Sequence, residues 1–191
     1  MEPRQERADA ARNRRAILDA TETLLARHGA KHVSMDQIAT EAGVGKGTIF
    51  HRFGSREGLL TALVVERAVS LRDAVADGAP PLGPGAPARE RLPAYFEAMT
   101  QLVVDNVDIV VAYDHATSDS TREELHAFWY QHIATLVAAV RPELDADAMA
   151  RVLLGMLGGA VVQEMVRAGH ADRLHAAVRA VIRSIIEAPQ A

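Results

Sequence analysis

The 191-residue chain contains no cysteine. Disulfide bonds and thiolate chemistry are therefore excluded, and nothing favours secretion. The first residues are charged and lack the apolar run of a signal peptide, and no stretch reaches the roughly 20 apolar residues that cross a bilayer. We therefore expect a cytoplasmic protein that has no membrane partner.

Signatures of catalysis are lacking as well. The chain has no nucleophile elbow, phosphate-binding loop, dinucleotide fingerprint or His-Glu-x-x-His zinc motif. Asp114 and His115 are adjacent, and adjacent residues on a helix diverge by roughly 100°, so they cannot readily form an acid–base pair. We predict that the protein is not an enzyme and binds no cofactor or metal. A metal-responsive sensor stays an alternative, because histidines gather in the middle of the chain.

Positive charge is scarce overall but unevenly placed. The net charge is −4, yet residues 1–72 carry 12 Arg and Lys against 9 Asp and Glu, whereas residues 73–191 carry 9 against 16. The N-terminal third therefore has the positive excess that neutralising phosphates requires. Apolar residues make up 49% of the chain, which is enough for a sizeable core.

No segment alternates with the period of two that a strand requires, and the chain is predicted to be all-α with about nine helices. The proline- and glycine-rich stretch at 77–87 predicts a loop. Apolar periodicity and capping residues place the helices at about 8–27, 34–42, 45–52, 55 to beyond 71, a fifth ending near 107, 109–116, 121–140, 145–168 and 171–187.

Residues 34–53 have the pattern of a helix-turn-helix, which places its second helix in the DNA major groove. Ala39 is small enough for the helix crossing and Gly43 suits the turn, while Ser34 and Gln37 fit a capping box. Apolar residues at the offsets that fix the angle between the helices are Ile38, Val44 and Ile49. The alternative is an ordinary helical hairpin with a solvated polar face.

The second of these helices carries groups that reach phosphates and base edges. Gly45 and Gly47 let the backbone approach DNA closely, and a helix N-terminus attracts phosphate. For His51 two interpretations stay open, contact with a base or phosphate and a position at the rim. The candidate contact side chains are Lys46, Thr48, His51 and Arg52.

Three segments, 14–29, 34–39 and 42–60, together resemble the TetR (tetracycline-repressor-like) family of bacterial regulators. The resemblance implies a homodimer that binds double-stranded operator DNA. It also implies an N-terminal helix-turn-helix DNA-binding domain, here residues 1–54, followed by a helical ligand-binding and dimerisation domain, here residues 55–191. By position, Lys46, Gly47 and Thr48 match the family's DNA-contacting residues, Ser34 matches a phosphate contact, and Arg56 matches a basic residue on the DNA backbone.

Two positions depart from the pattern of the family. Gly45 stands where the family usually has serine, and it is a weaker N-cap by a few tenths of a kcal/mol. Phe50 stands where tyrosine is usual, so a hydroxyl bond to phosphate cannot form. Phe50 is expected either to pack or to touch a thymine methyl group.

The last two predicted helices have wide apolar stripes that would form a four-helix bundle between two subunits. The alternative is that these stripes close the core of a single subunit. The predicted interface residues are Val152, Met156, Ala160, Val178, Ile182 and Ile185.

Aromatic and titratable residues concentrate in the middle of the chain, where an apolar cavity with a few polar groups would suit a small molecule. Plain core packing with polar tips reaching water is the alternative. The predicted ligand-binding residues are Tyr95, Met99, Asp114, His115, His126, Trp129, Tyr130 and His132.

The sequence thus predicts a ligand-responsive transcriptional regulator, expected to be a repressor that a small apolar or aromatic effector releases from its operator. A DNA-binding regulator that has no small-molecule ligand is the other open interpretation.

Overall fold

The computed structural model describes residues 2–29, 32–107 and 120–187, with side chains from residue 9 onward. Within these ranges the chain has helices and connecting turns and no strand, which confirms the all-α prediction. Nine helices lie in the described ranges: α1 (Glu2–His28), α2 (Met35–Glu41), α3 (Lys46–Phe53), α4 (Arg56–Asp77), α5 (Ala88–Asp105), α6 (Ser120–Val140), α7 (Ala146–Gly155), α8 (Ala160–Arg167) and α9 (Ala171–Glu187).

The chain divides into two compact units, Met1–Val64 and Val65–Ala191. The division falls inside α4, ten residues beyond the domain boundary that was predicted after residue 54. Each unit has its own hydrophobic core. In the first unit, Ile17 of α1, Ile38 of α2 and Ile49 of α3 are at most 1% exposed and pack these three helices against the start of α4.

The core of the second unit forms around α5, which packs against α6 and α9. Its largest fully buried side chains include Tyr95, Phe96, Ile133 and Ile182. Thr100 is also fully buried, and its hydroxyl donates to the carbonyl of Phe96 at 2.6 Å, so the polar group is satisfied inside the helix.

The prediction of one long helix over 145–168 is wrong, because this range contains two helices, α7 and α8. Gly159 precedes α8 with a φ of 87°, a left-handed conformation that favours glycine. Tightened turns close the end of α7, where Leu157 N donates to Leu154 O at 3.2 Å and Gly158 N to Gly155 O at 3.2 Å. The apolar periodicity predicted one continuous helix here and did not reveal the break.

The short helix predicted at 109–116 lies outside the described residues, as do Asp114 and His115. Among the described helices, none is by itself long and apolar enough to cross a membrane. The pair α7 and α8, bent by 41° at their junction, passes that test by length and composition when the two are taken together.

Candidate DNA-binding surface and effector site

The helix-turn-helix begins with the predicted capping box. Gln37 N donates to Ser34 Oγ at 3.3 Å, and Ser34 N donates to Gln37 Oε1 at 2.8 Å, so two backbone donors at the start of α2 are satisfied reciprocally. Gly43, with a φ of 65°, turns the chain between α2 and α3. These local contacts fix where α3 begins.

Helix α3 packs through one side and leaves the others to solvent. Ile49 is fully buried and Phe53 is half-buried, with the guanidinium of Arg14 5.5 Å from the centre of the Phe53 ring. The remaining six residues of α3 are exposed: Lys46, Gly47, Thr48, Phe50, His51 and Arg52. A helix held by a single buried edge presents the surface that a major groove can receive.

The start of α3 lacks a side-chain cap, as its glycine predicted. Gly45 is the N-cap residue and makes no side-chain cap hydrogen bond, so it leaves backbone N–H groups open at this end. Phe50 is 42% exposed. The structure therefore does not bury this ring, and contact with a thymine methyl group stays a prediction.

Lys46, the first residue of α3, is ion-paired within the unit. Its Nζ lies 2.9 Å from Oδ2 of Asp36 in the first turn of α2. The side chains of Lys46 and Asp36 are 49% and 72% exposed. The carboxylate occupies a donor of Lys46 that a phosphate would need, because both are anionic acceptors. The sequence alone did not reveal this pair, since the two residues meet only when α2 and α3 cross.

Arg56 lies half-buried at the start of α4. Its Nε donates to the carbonyl of Val33 at 3.4 Å, which ties the arginine to the segment before α2. Ser34, the predicted phosphate contact, directly follows Val33 in the sequence and is exposed. These two predicted contact residues therefore lie near one another in the chain's first unit, beside the start of α2.

In the second unit, three of the predicted ligand-binding residues meet in one aromatic cluster. The ring centroid of Tyr95 lies 5.7 Å from that of Trp129 and 5.1 Å from that of His132. Phe96 packs edge-on against Tyr95 at 5.1 Å, and Phe128 stacks on His132 at 6.0 Å. The predicted site did not include Phe96 or Phe128, although each is adjacent in sequence to a residue that it did include.

The remaining described candidates lie elsewhere or are plain core. Met99 is 6% exposed and belongs to the same core as Tyr95 and Trp129. His126 and Tyr130 lie on another face of α6, where the guanidinium of Arg151 is 5.2 Å from the centre of the Tyr130 ring. The predicted set is therefore divided between two faces of α6.

Burial changes the titration of the cluster. Burial raises the pKa of Tyr95 well above its usual range, so its hydroxyl stays protonated. Burial, and secondarily the positive charge of Arg91, lower the pKa of His132 to about 4. Both groups are therefore uncharged at neutral pH.

Two of the grooves on the described surface of the second unit are lined by residues other than Tyr95, Trp129 and His132. The groove between α5 and α9 has a volume of about 280 Å³, with Phe96 and Ile182 among its lining residues. The groove between α6 and α7 has a volume of about 520 Å³, and Tyr130 and Arg151 line it. No group of three or more His, Asp or Glu that could hold a metal lies within the described ranges.

The predicted dimer residues separate into two sets by burial. Val178, Ile182 and Ile185 are 5%, 1% and 9% exposed and pack inside their own subunit. Val152 is 65% exposed, Ala160 is exposed and Met156 is half-buried. Further apolar surface, which the sequence reading did not choose, lies at Val161 and Val181, with exposures of 72% and 42%.

Comparisons with known proteins agree with this architecture. Residues 17–63 match the family described as bacterial regulatory proteins, tetR family, and this range ends one residue before the first compact unit does. The transcriptional regulator BetI of Agrobacterium fabrum is 30% identical over 148 residues, which cover 74% of this chain and 70% of that protein. BetI of Rhizobium meliloti is 26% identical over 162 residues, covering 81% and 78%.

Solved structures share the fold at low identity. A transcriptional regulator from Saccharomonospora viridis in complex with choline is 24% identical, with a TM-score of 0.62 over 89% of this chain and 95% of that one. FadR from Bacillus subtilis in complex with stearoyl-CoA is 18% identical, with a TM-score of 0.61 over 90% and 97%.

Together these findings define a helix-turn-helix regulator of transcription. The chain belongs to the TetR family of bacterial regulatory proteins.

Proposed function

We propose that this protein is a repressor whose homodimer occupies two half-sites of an operator and is released by a small, largely apolar effector. The observation that carries the proposal is the division of labour between the units. The first unit exposes the polar side chains of α3, whereas the second buries Tyr95, and Nε2 of the half-buried His132, among aromatic rings. One unit suits a charged duplex, and the other suits an apolar molecule.

The DNA contacts proposed are the exposed residues of α3, with Gly45 and the flanking Ser34 and Arg56. Lys46, Arg52 and Arg56 supply charge for phosphates, and Thr48 and His51 supply hydrogen bonds for base edges. Gly47 permits close backbone approach, and Phe50 supplies apolar contact. Because one α3 reads only a few base pairs, two copies about one helical turn of DNA apart are required for a specific site.

The dimer proposed here uses surface that a single subunit leaves uncovered. Val152, Val161 and Val181 lie on α7, α8 and α9, and each is at least 42% exposed. Exposed valines on three consecutive helices are unusual for a lone subunit, and a symmetric bundle of these helices from two subunits would cover them. Ala160 and Met156 complete this face, whereas Val178, Ile182 and Ile185 support it from behind.

The effector is proposed to act through the helices that surround the aromatic cluster. Within the second unit, Arg67 of α4 donates to Asn106 Oδ1 at the end of α5 at 2.6 Å. Helix α4 begins in the first unit and ends in the second. A ligand that parts the rings on α5 and α6 would favour one position of α4, and so shift the population away from the arrangement that binds DNA.

Selection from a library of random duplexes tests the DNA-binding proposal. We expect the wild-type protein to enrich a palindrome with half-sites separated by about 10 base pairs, and the enrichment to disappear when Lys46 and Thr48 are both changed to alanine. A variant altered on the opposite unit, Thr135→Ala, serves as the control, since Thr135 is an exposed residue of α6. Enrichment that survives the double change would place the DNA contacts elsewhere.

A ligand-free regulator is the second candidate. The dense packing of Tyr95 and Trp129, which are 0% and 5% exposed, favours it. Thermal shifts separate the two, because a ligand that binds only the folded state raises the midpoint of unfolding by an amount that grows with the logarithm of its concentration above Kd. Stabilisation by a compound that also weakens operator binding supports the effector proposal, and the absence of stabilisation by every compound of a metabolite panel supports the ligand-free regulator.

A further inference from the structure

Two buried polar atoms in the aromatic cluster lack a hydrogen-bond partner among the described residues. They are Oη of Tyr95 and Nε2 of His132, on rings whose centroids are 5.1 Å apart. A third such atom, Nδ1 of His175, has an evident neighbour in Oε1 of Glu97 at 3.1 Å. Buried polar groups are nearly always satisfied by protein, water or ligand, so the pair at Tyr95 and His132 requires an explanation.

The pair is surrounded by aromatic rings. Phe96 and Trp129 flank Tyr95, and Phe128 stacks parallel to His132, with an angle of 0° between the two rings. Rings in such contacts favour a planar, aromatic guest, because edge-to-face and offset stacking add to the gain from burial. The body of the ligand is therefore expected to be aromatic, and its entry requires the rings to part.

Charge in this region disfavours a cation. Arg91 is near enough to lower the pKa of His132, and its guanidinium donates to the carbonyls of Val75 and Leu82 at 3.1 and 3.4 Å. Those carbonyls occupy donors that an anionic ligand would need. Tyr95 and His132 are themselves uncharged, so a cation finds no counter-charge among these groups, and an anion finds only the guanidinium of Arg91, which already donates to two carbonyls.

The geometry points to an uncharged effector, an aromatic molecule with one carbonyl or hydroxyl oxygen that bonds to Tyr95 Oη and His132 Nε2. This inference rests on the proposed effector site and names the class of molecule that the site selects. It also distinguishes this chain from the regulator of Saccharomonospora viridis, whose complex contains choline, a quaternary ammonium compound. A cation would gain from the ring faces, but it would face the charge of Arg91 in a site with no carboxylate among the groups named here.

Three probes of one size and different charge test the inference: acetophenone, benzoate and benzyltrimethylammonium. Trp129 is the only tryptophan in the chain and contacts Tyr95, so its fluorescence reports occupancy of this site. We expect saturable quenching by acetophenone, with an affinity at least about tenfold higher than for either charged probe. Tyr95→Phe should lower that affinity by about three- to tenfold, since it removes one hydrogen bond.

Tyr130→Phe is the matched control, because it removes the same hydroxyl from the other face of α6 and should leave the affinity for acetophenone unchanged. Binding of benzyltrimethylammonium as tight as that of acetophenone would overturn the class of effector and leave the site intact. An unchanged affinity in Tyr95→Phe would overturn the role of the hydroxyl. If no probe bound at millimolar concentration, both the class and the proposed site would fall, while operator binding by the same sample would separately uphold the DNA-binding function.

Discussion

The two units of the molecule keep their polar groups in opposite places. In the first unit the polar residues of α3 are exposed and Ile49 is the one fully buried residue of that helix, whereas in the second unit Tyr95 is fully buried and its hydroxyl has no hydrogen-bond partner among the described residues. Exposed groups cost little until they meet DNA, but a buried unsatisfied group costs stability in every folded molecule. The proposed DNA contacts therefore lie on a surface where water satisfies the polar groups, and the proposed effector contacts lie in an interior where water does not reach them.

The largest effect is expected from substitutions that separate the two subunits of the proposed dimer. Val181→Asp and Val161→Asp should each yield a folded monomer, because a charge would be buried in the proposed interface, and operator affinity should fall by roughly 100-fold or more as bivalent binding is lost. Light scattering after size-exclusion chromatography measures the mass, and fluorescence anisotropy measures the affinity. Ala139→Asp, at an exposed position on α6, makes the same change away from this face and should remain dimeric. A dimer that persists in both valine variants contradicts the proposed interface.

The next effect concerns the charged surface of the first unit. Lys46→Ala should weaken operator binding and reduce the slope of log affinity against log salt by about one per subunit, because one phosphate contact is lost. Titrations between low and moderate salt measure the slope. An unchanged slope would show that Lys46 does not contact a phosphate, even if the affinity itself changed.

The interior of the second unit should respond in the opposite direction. Tyr95→Phe is expected to raise the free energy of unfolding by about 1 kcal/mol, since it deletes a buried hydroxyl that has no partner within the described part of the chain. For a chain of this length that gain corresponds to a rise of about 2–4 °C in the midpoint of thermal unfolding. Calorimetry measures it, with Tyr130→Phe as the control. Destabilisation would mean that the hydroxyl of Tyr95 is already bonded in the ligand-free protein.

A smaller effect is expected from the partner of Lys46. Asp36→Asn removes the carboxylate that lies 2.9 Å from Lys46 Nζ, and should raise the affinity for duplex DNA by a few-fold at low salt, since a competing negative charge is lost. The gain should vanish in the Lys46→Ala background, which a double-mutant cycle measures. Equal gains in both backgrounds would show that Asp36 acts on the DNA without involving the lysine.

The last effect is a dependence of stability on pH. The pKa of His132 is lowered from 6.5 to about 4 by burial and, secondarily, by Arg91. Between these values the unfolded chain binds a proton that the folded chain does not, so folding stability is fully present above pH 6.5 and declines as the pH falls towards 4. Urea unfolding at several pH values measures the decline, and His132→Gln should make it shallower. The same decline in this variant would assign it to other histidines.

The sequence was sufficient for most of the first unit because its signals are local. The capping box of Ser34 and Gln37, the turn at Gly43 and the buried Ile49 all follow from residues within one short segment, and the structure confirms them. The pairing of Asp36 with Lys46 did not follow, since it depends on how two helices cross.

The second unit was harder to predict, because its chemistry depends on contacts distant in sequence. Helical periodicity located α6 and α9 closely and placed Trp129 and His132 on one face of α6, but it could not say that Tyr95 of α5 would meet that face. Wide apolar stripes also left two explanations for α9. The structure gives Val178, Ile182 and Ile185 to the subunit core, which the stripe alone could not decide.

The interruption between α7 and α8 has a rotational consequence. On an unbroken helix, residues nine apart are turned by about 180° relative to each other, so Val152 and Val161 would lie on opposite sides. The left-handed Gly159 and the 41° bend interrupt this phase, and both valines are exposed. The relative directions of the two valines therefore depend on the conformation of the interruption and not on helical periodicity, so a change in its length would alter how the apolar surface of α8 is turned relative to that of α7.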